Sequence, residues 1–210
     1  MQGYQRELRD LVRERGITQL LHFTRIENAQ SILLNGLAGR SYLDEAGVGY
    51  LPTDTWRRDG YNDAFSTSIH DVYWDMLVNK QRSMGGEWAV FAIDASVLWT
   101  HRCRFCWQNA SSSEITRKRD LPGPWSFNRM FEDKPVSLID NRSYRGACDR
   151  EPCEPTDKSA EVQVREPVDP ELIVALAVAS EWRKGQLEAF MSENECTRPM
   201  DVWKDLRDYT

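Results

Sequence analysis

The spacing of hydrophobic and polar positions predicts a chain in which helices and strands alternate. Leu8, Leu11 and Val12 recur at helical spacing among charged residues and precede Gly16, which predicts an amphipathic helix over residues 4–15. Apolar runs and short alternations predict strands over residues 19–23, 64–69, 88–93, 160–165 and 172–179. Helical spacing predicts further helices over residues 26–34, 71–80, 125–131 and 185–194, with a short helical piece after the last. This mixture indicates an α+β domain.

Two long stretches show no sustained periodicity. Residues 38–61 are rich in Gly, Asp and Arg, which predicts a long loop. Residues 108–158 contain clusters of Ser, Asn, Pro and Gly, which predicts a loop-rich insertion directly before Glu161. Irregular segments of this length inside a compact domain are often functional. We therefore expect residues 1–210 to form a single domain that carries this insertion.

Composition narrows the classes of function. The chain is 40% hydrophobic with a mean hydropathy of −0.62, and no apolar run approaches the roughly 20 residues that span a membrane. The first residues are polar and the five cysteines are an odd number, so we expect reduced thiols and a cytoplasmic protein. With a net charge of −6, nucleic-acid binding requires a local basic patch. GxGxxG and GxxxxGK[ST] motifs are absent from the sequence, which argues against Rossmann and P-loop sites.

Candidate chemical groups are weak signals when each is considered alone. Glu161 opens an alternating strand, where a lone carboxylate is most often simply exposed. His22 lies on the first predicted strand, and a lone histidine there is more often structural than functional. Together they could build one cleft from two distant strands, with a single acid opposite a neutral ring. The pair Arg57 and Arg58 could hold a pyrophosphate through bidentate contacts.

Four cysteines have a spacing that resembles that of metal ligands. Two residues separate Cys103 from Cys106, and four separate Cys148 from Cys153. Reduced thiols without a metal are the favoured interpretation, and a structural zinc site is the alternative.

Basic and aromatic side chains are interleaved in the insertion. Arg117, Lys118 and Arg119 form a basic run, with Trp107 and Trp125 on either side of it. Such a composition suits a surface for single-stranded nucleic acid, where cations meet phosphates and rings stack on unpaired bases. A solvated charge run beside a small hydrophobic cluster is the competing interpretation.

Three segments of the chain carry a family resemblance through their order and spacing. Residues 22–37 contain HFTxxxNxxxILxxGL, residues 56–69 contain WRRDG followed by STSI, and residues 155–162 read PTDKSAEV. With a weaker similarity at residues 103–110, they resemble the DarT family of nucleic-acid ADP-ribosyltransferases, toxins usually paired with a macrodomain antitoxin. The resemblance spans residues 18–175. It implies an ADP-ribosyltransferase-like split central β-sheet with flanking helices, and a substrate-recognition insertion before the catalytic strand.

One strand departs from part of that family. The thymine-directed branch usually carries a His-Val-Pro-Phe-Tyr strand and a Ser-Pro-Met-Leu-Tyr segment, whereas residues 64–71 here read AFSTSIHD and contain no proline. The chain is therefore more similar to the guanine-directed branch, which implies guanine as the modified base.

The resemblance implies a role for each matching residue. Glu161 would be the catalytic acidic residue, and Arg57 would bind phosphate and orient the reacting base, with Arg58 as the less favoured register. NAD would be held by His22, Thr24, Asn28, Arg57, Ser66 and Ser68. The insertion would contact the nucleic acid through Trp107, Asn109, Arg117, Lys118, Arg119 and Trp125.

The leading hypothesis is a toxin that transfers ADP-ribose from NAD, its co-substrate, to a base in single-stranded DNA without a metal. A macrodomain-type antitoxin is the expected partner, and the role would be growth control or phage defence. The same reaction on single-stranded RNA is one alternative. An arginine acceptor on a protein is not supported, because Ser159 rather than an acidic residue stands two positions before Glu161. A zinc-stapled nucleic-acid-binding module without catalysis is the alternative from another class.

Overall fold

The computed structural model describes residues 3–54, 56–137 and 139–206. In these ranges seven strands form one sheet: β1 (Gln19–Arg25), β2 (Phe65–Ile69), β3 (Trp88–Asp94), β4 (Cys103–Cys106), β5 (Glu161–Val164), β6 (Ile173–Val178) and β7 (Met200–Val202). Their spatial order is β4-β5-β2-β1-β3-β6-β7, and every recorded pair is antiparallel except β6 with β7. The predicted α+β class is confirmed.

Helices flank the sheet on both faces and fill the connections between the strands. They are α1 (Gly3–Glu14), α2 (Ala29–Asn35), α3 (Arg40–Glu45), α4 (Trp74–Met84), α5 (Val97–Thr100), α6 (Ser113–Thr116), α7 (Gly123–Arg129), α8 (Tyr144–Ala147) and α9 (Glu181–Glu193). Short 3-10 turns occupy Ile26–Asn28, Pro170–Leu172 and Lys204–Leu206. No helix in the described ranges is long and apolar enough to cross a membrane.

The sheet is split between β1 and β2. Strand β1 pairs with β3 along its whole length, whereas its pairing with β2 is recorded only at Leu20 with Ile69 and Leu21 with Ser68. From His22 onward the two strands diverge, so the sheet consists of a β1-β3-β6-β7 half and a β4-β5-β2 half. The split central sheet that the resemblance implied is therefore present, and a cleft opens along the divergence.

The apolar run in β3 divides the core into two layers. Phe91 and Ile93 pack into the larger hydrophobic cluster, while Trp88 and Val90 pack into the smaller one. Successive strand residues point to opposite faces, so an unbroken apolar run indicates a strand that is buried on both sides. Helix α1 covers the larger cluster through its buried Leu8 and Val12, as its amphipathic pattern predicted.

Several predicted elements differ from those observed. The helix predicted over residues 71–80 begins at Trp74, because Asp71 accepts the Val72 N–H (2.7 Å) in a turn before it. Helix α9 begins at Glu181 rather than 185, because the Ser180 hydroxyl caps it. The predicted loop over residues 38–61 contains helix α3. The short helical piece predicted at the C-terminal end is strand β7 followed by a 3-10 turn.

Candidate active site

A cavity of about 380 Å³ lies where β1 and β2 diverge. This volume is within the range of small-molecule sites. Its walls come from β1, α2, residues 48–54, β2, α4, residues 109–111 and the first residue of β5. The cavity brings together the residues assigned to catalysis and NAD binding, namely His22, Thr24, Asn28, Arg57, Ser66, Ser68 and Glu161.

Glu161 is the first residue of β5 and is held by two amide donors. Its Oε1 accepts a hydrogen bond from Asn109 Nδ2 (2.6 Å) and a longer one from the Ala110 N–H (3.4 Å). Burial raises the pKa of Glu161 above the usual range of glutamate, and the Asp59 carboxylate adds to this rise. Hydrogen bonding and the Arg57 charge pull in the opposite direction. The carboxylate is therefore fixed in place and only partly solvated.

Asn109 lies in this cleft rather than on the nucleic-acid surface to which the sequence assigned it. Its Oδ1 accepts the Ser111 N–H (2.9 Å), so the NH2 end of its side-chain amide must point towards Glu161. The Asn109 N–H donates to Ser159 Oγ (3.1 Å), which ties this turn to the segment just before β5. Asn109 therefore orients the carboxylate.

His22 bridges the two halves of the sheet at the point where they separate. Its Nδ1 lies 2.8 Å from the carbonyl oxygen of Ser66, an acceptor, so Nδ1 carries the proton. Burial lowers the pKa of His22, more than the hydrogen bond to Ser66 raises it. The ring is thus a neutral imidazole whose Nε2 is an acceptor.

Asn28 holds the wall of the cavity. Its Nδ2 donates to Thr24 Oγ1 (2.9 Å) and to the Leu51 carbonyl (2.9 Å), and its Oδ1 accepts the Leu51 N–H (2.7 Å). The amide is therefore engaged with protein groups, and it fixes residues 48–54 against β1.

Arg57 lines the cavity, whereas Arg58 is exposed and does not line it. The Arg57 side chain is 14% exposed, forms an ion pair with Asp59 (3.1 Å) and donates to the Tyr61 carbonyl (2.7 Å). This geometry agrees with the favoured register of the sequence motif.

Two further cations in the cavity were not recognised in the sequence. Arg40 comes from α3 and Lys80 from α4. Burial lowers the pKa of Lys80, which the charges of Asp54 and Glu161 oppose, and its Nζ donates to the Thr53 carbonyl. The helical spacing of Tyr73, Met76 and Lys80 was the signal that could have placed Lys80 on the cavity-facing side of α4.

The basic run lies outside the cavity, on the surface after α6. Arg117, Lys118 and Arg119 are all exposed there. Trp125 is 64% exposed, but Trp107 is only 7% exposed and its indole N–H donates to Glu114 (2.9 Å). The prediction that Trp107 contacts nucleic acid is therefore wrong, because a buried ring has no face open for a base.

Trp107 instead supports Trp125. The two rings meet edge to face at 6.0 Å and 89°, and the Arg129 guanidinium lies 5.0 Å from the Trp107 ring and 5.8 Å from that of Trp125. These contacts hold the Trp125 ring at the surface beside the basic run.

The cysteines do not build a metal site. Cys103 and Cys106 are buried on strand β4, and burial raises the pKa of Cys106 to about 12. Cys148 is exposed and Cys153 partly exposed. In the part of the chain that the structure describes, no group of three or more His, Cys, Asp or Glu residues could hold a metal ion. The geometry therefore gives no support to the zinc-stapled alternative.

Comparison with known proteins yields one family match. Residues 67–208, more than half of the chain, match the family described as "ssDNA thymidine ADP-ribosyltransferase, DarT". No curated protein matches the chain.

Solved structures share the fold at low sequence identity. DarT from Thermus sp. 2.9 in complex with ADP-ribosylated ssDNA has a TM-score of 0.59 and 16% identity, covering 91% of this chain and 97% of that one. The same Thermus protein in complex with NAD+ has a TM-score of 0.55, also at 16% identity, covering 90% and 97%. DarTG from Thermosipho africanus in complex with ADP-ribose has a TM-score of 0.52 and 13% identity, covering 88% and 49%. Identities this low show the fold alone.

Proposed function

The chain belongs to the DarT family of ADP-ribosyltransferases, and from this we propose that it transfers ADP-ribose from NAD to a nucleobase in single-stranded DNA. The observation that carries the proposal is the convergence of Glu161, His22 and Arg57 on one cavity between the halves of a split sheet. A fixed carboxylate, a neutral imidazole and a cation are the groups that such a transfer requires.

The chemistry needs a single acidic residue. The bond between the nicotinamide nitrogen and the ribose breaks, its electron pair leaves with nicotinamide, and positive charge develops on the ribose. The Glu161 carboxylate would stabilise that charge. A nitrogen of the acceptor base then bonds to the same ribose carbon, and Glu161 would take the proton that this nitrogen loses. Nicotinamide leaves as a neutral molecule, so no strong acid is needed.

The remaining cavity residues suit NAD itself. Neutral His22 would accept from a ribose hydroxyl through Nε2, with Thr24, Ser66 and Ser68 lining the same end. Arg40, Arg57 and Lys80 bring three positive side chains to the cavity, which suits the diphosphate of NAD. Asn28 would act indirectly, through residues 48–54.

Single-stranded DNA is the acceptor that the relatives favour. The family description names ssDNA, and the Thermus relative was solved with ADP-ribosylated ssDNA. In this chain Trp125 presents an exposed ring beside Arg117, Lys118 and Arg119. Such an arrangement binds a strand whose bases are unpaired, while a base within a duplex is shielded from attack.

Two expectations about the identity of the modified base conflict. The strand over residues 64–71 is similar to the guanine-directed branch, whereas the family description names thymidine and does not support guanine. The assay therefore presents each base separately.

We also propose a macrodomain-type antitoxin as the cellular partner and the cytoplasm as the place of action. The support is the toxin character that the sequence resemblance implies and the fold shared with DarTG, which was solved in complex with ADP-ribose. Expression of the chain alone should then be toxic, and a macrodomain hydrolase that removes ADP-ribose from DNA should relieve the toxicity.

The decisive assay is intact mass spectrometry of oligonucleotides after incubation with NAD. Four single-stranded DNA oligonucleotides differ only in the candidate base at one position. They are compared with RNA oligonucleotides of the corresponding sequence. The proposal expects a mass gain of one ADP-ribose on DNA, and the modified oligonucleotide names the base. Glu161→Ala is the control, and it should retain NAD binding. A gain on RNA alone, or on no oligonucleotide, contradicts the proposal.

A further inference from the structure

A buried line of polar side chains runs from the cavity to the nucleic-acid side of the molecule. Arg57 pairs with Asp59 Oδ2 (3.1 Å), and Gln163 Nε2 donates to the same carboxylate oxygen. Gln163 Oε1 in turn accepts from Arg104 Nη1 (2.8 Å). Gln163 and Arg104 are fully buried cross-strand neighbours on β5 and β4, and the Asp59 side chain is 6% exposed.

Arg104 connects this line to the turn that carries the basic run. Its Nη2 donates to the carbonyl oxygens of Ile115 (3.0 Å) and Lys118 (3.2 Å). Its guanidinium also lies 4.6 Å from the centre of the Tyr61 ring, while the Tyr61 carbonyl accepts from Arg57. One buried cation thus touches both the loop that holds Arg57 and the turn that carries the surface cations.

Burying this network costs free energy of folding, so a role in fixing side-chain geometry is expected. Burying a guanidinium and a carboxylate incurs a desolvation penalty, and apolar residues of similar volume are often as stable. The network lies next to the cavity and directional bonds link its members, while the Nε atoms of Arg57 and Arg104 have no hydrogen-bond partner in the part of the chain that the structure describes. Its retention in a core is therefore better explained by the position it gives to Arg57 than by stability.

We infer that Asp59 and Arg104 are positioning residues: Asp59 fixes Arg57 in the NAD cavity, and Arg104, through Gln163, joins that site to the turn that carries the basic run. This inference rests on the proposed function, because it assigns roles towards NAD and DNA. It extends that function to residues that do not contact the reacting atoms.

Asp59 also acts on Glu161 through its charge. The charged groups that face Glu161 are Asp59 and Arg57 from the loop and Lys80 from α4, and the groups from residues 109–111 and β2 are neutral donors. Asp59 raises the pKa of Glu161 and Arg57 lowers it. A purely structural residue would not move this titration, so the pH profile separates the two roles.

The test compares Asp59→Asn with Asp63→Asn. Asp63 lies on the same loop and also pairs with an arginine, Arg165 (2.8 Å), but it does not line the cavity. For Asp59→Asn we expect the KM for NAD to rise about tenfold, the effect of losing a charged hydrogen bond. The acid limb of kcat/KM should move to lower pH. Asp63→Asn should change neither quantity, and Arg57→Gln should move the limb to higher pH.

Two apolar variants test the connection beyond Asp59. Gln163→Met keeps the Arg57–Asp59 pair but removes the link to Arg104, so the KM for NAD should rise by a smaller factor, about threefold. Arg104→Met should weaken both NAD and ssDNA binding, whereas Asp59→Asn should weaken only NAD binding. Thermal melting identifies any variant that fails to fold, and Gln163→Met then carries the test.

The outcomes separate the inference from the function on which it rests. If the wild type and Asp63→Asn transfer ADP-ribose and folded Asp59→Asn matches them in KM and pH profile, the positioning inference is overturned and the proposed function stands. If the wild type itself modifies no oligonucleotide, the proposed function fails and the inference fails with it.

Discussion

The strands in the two halves of the split sheet differ in how many polar side chains they bury. In the β1-β3-β6-β7 half, Thr24 is the one buried polar side chain among the strand residues that the structure describes. The β4-β5-β2 half buries Thr67, Ser68, Arg104 and Gln163. Apolar packing supplies stability without direction, whereas buried polar groups must satisfy directional bonds. The comparison indicates that the first half mainly supports the fold, with His22 and Thr24 of β1 lining the cavity, whereas the second half fixes the polar groups around Glu161.

The strongest way to break this comparison is to remove the charge at the head of β5. Glu161→Gln keeps the size of the side chain but loses the carboxylate, so transfer should fall by about 100-fold to 10,000-fold. Oligonucleotide mass gain over time gives the rate. Transfer by Glu161→Gln at the wild-type rate would remove Glu161 from the mechanism.

The same variant should not be less stable than the wild type at neutral pH. Burial raises the pKa of Glu161 in the folded protein, so the stability that this group contributes is greatest below its unfolded-state pKa and is lost as pH rises through the folded pKa. Denaturant unfolding at acidic and neutral pH measures the free energy. A marked loss of stability in Glu161→Gln at neutral pH would contradict the view that Glu161 serves function at a cost in folding stability.

The apolar half should respond in the opposite way. Ile93 on β3 is fully buried and pairs with Leu20 and Ile173. Ile93→Ala should lower the free energy of unfolding by about 2–5 kcal/mol. Activity per folded molecule and the KM for NAD should stay within about twofold. A twofold change corresponds to less than about 0.5 kcal/mol of binding free energy at the site. A specific loss of NAD affinity would show that the apolar core of this half, and not only His22 and Thr24 at the cavity, determines the site.

A smaller effect is expected from Arg57, the member of the arginine pair that lines the cavity. Arg57→Ala should slow transfer and raise the KM for NAD by about tenfold or more, because a charge-assisted contact is lost. Arg58→Ala is the matched control, since that side chain is exposed and does not line the cavity. Steady-state kinetics of the two variants decide the register. An inactive Arg58→Ala beside an unaffected Arg57→Ala would shift it by one residue.

The smallest effect is expected at the nucleic-acid surface. Trp125→Ala removes one exposed ring, and ssDNA affinity should fall by about 1–3 kcal/mol with the KM for NAD unchanged. Trp182→Ala is the control, because Trp182 is similarly exposed (62%) but lies on α9. Fluorescence anisotropy with a labelled oligonucleotide measures the difference. Equal affinities for the two variants would exclude Trp125 from the interface.

The sequence predicted most strands of both halves better than it predicted the positions of buried polar side chains. The apolar run of β3 and the spacing in α1 specify burial through local pattern alone, so both elements were predicted within a few residues. Ordered motifs mark Glu161, His22 and Arg57, and the structure brings all three to one cavity. The burial of Trp107 could not be predicted from local pattern, because it depends on a hydrogen bond to Glu114, seven positions away.

Residues defined by non-local contacts escaped sequence reasoning for the same reason. Arg104 reads as an ordinary strand arginine until Gln163, 59 positions away, is seen to accept from it. Lys80 reads as a solvated helix lysine until α4 is placed against the cavity. Strand β7 is only three residues long, and its pairing with β6 defines it. Local spacing specifies elements, while the positions of charges depend on the assembled sheet.

The most direct test of the account is a competition in one tube. The wild-type protein is given NAD with equal amounts of single-stranded DNA and RNA of the same sequence, and intact mass and free nicotinamide are followed together. The account predicts that ADP-ribose is added to DNA and that one nicotinamide is released for each group transferred. Release of nicotinamide with no gain in oligonucleotide mass, or modification of RNA in preference to DNA, would contradict it.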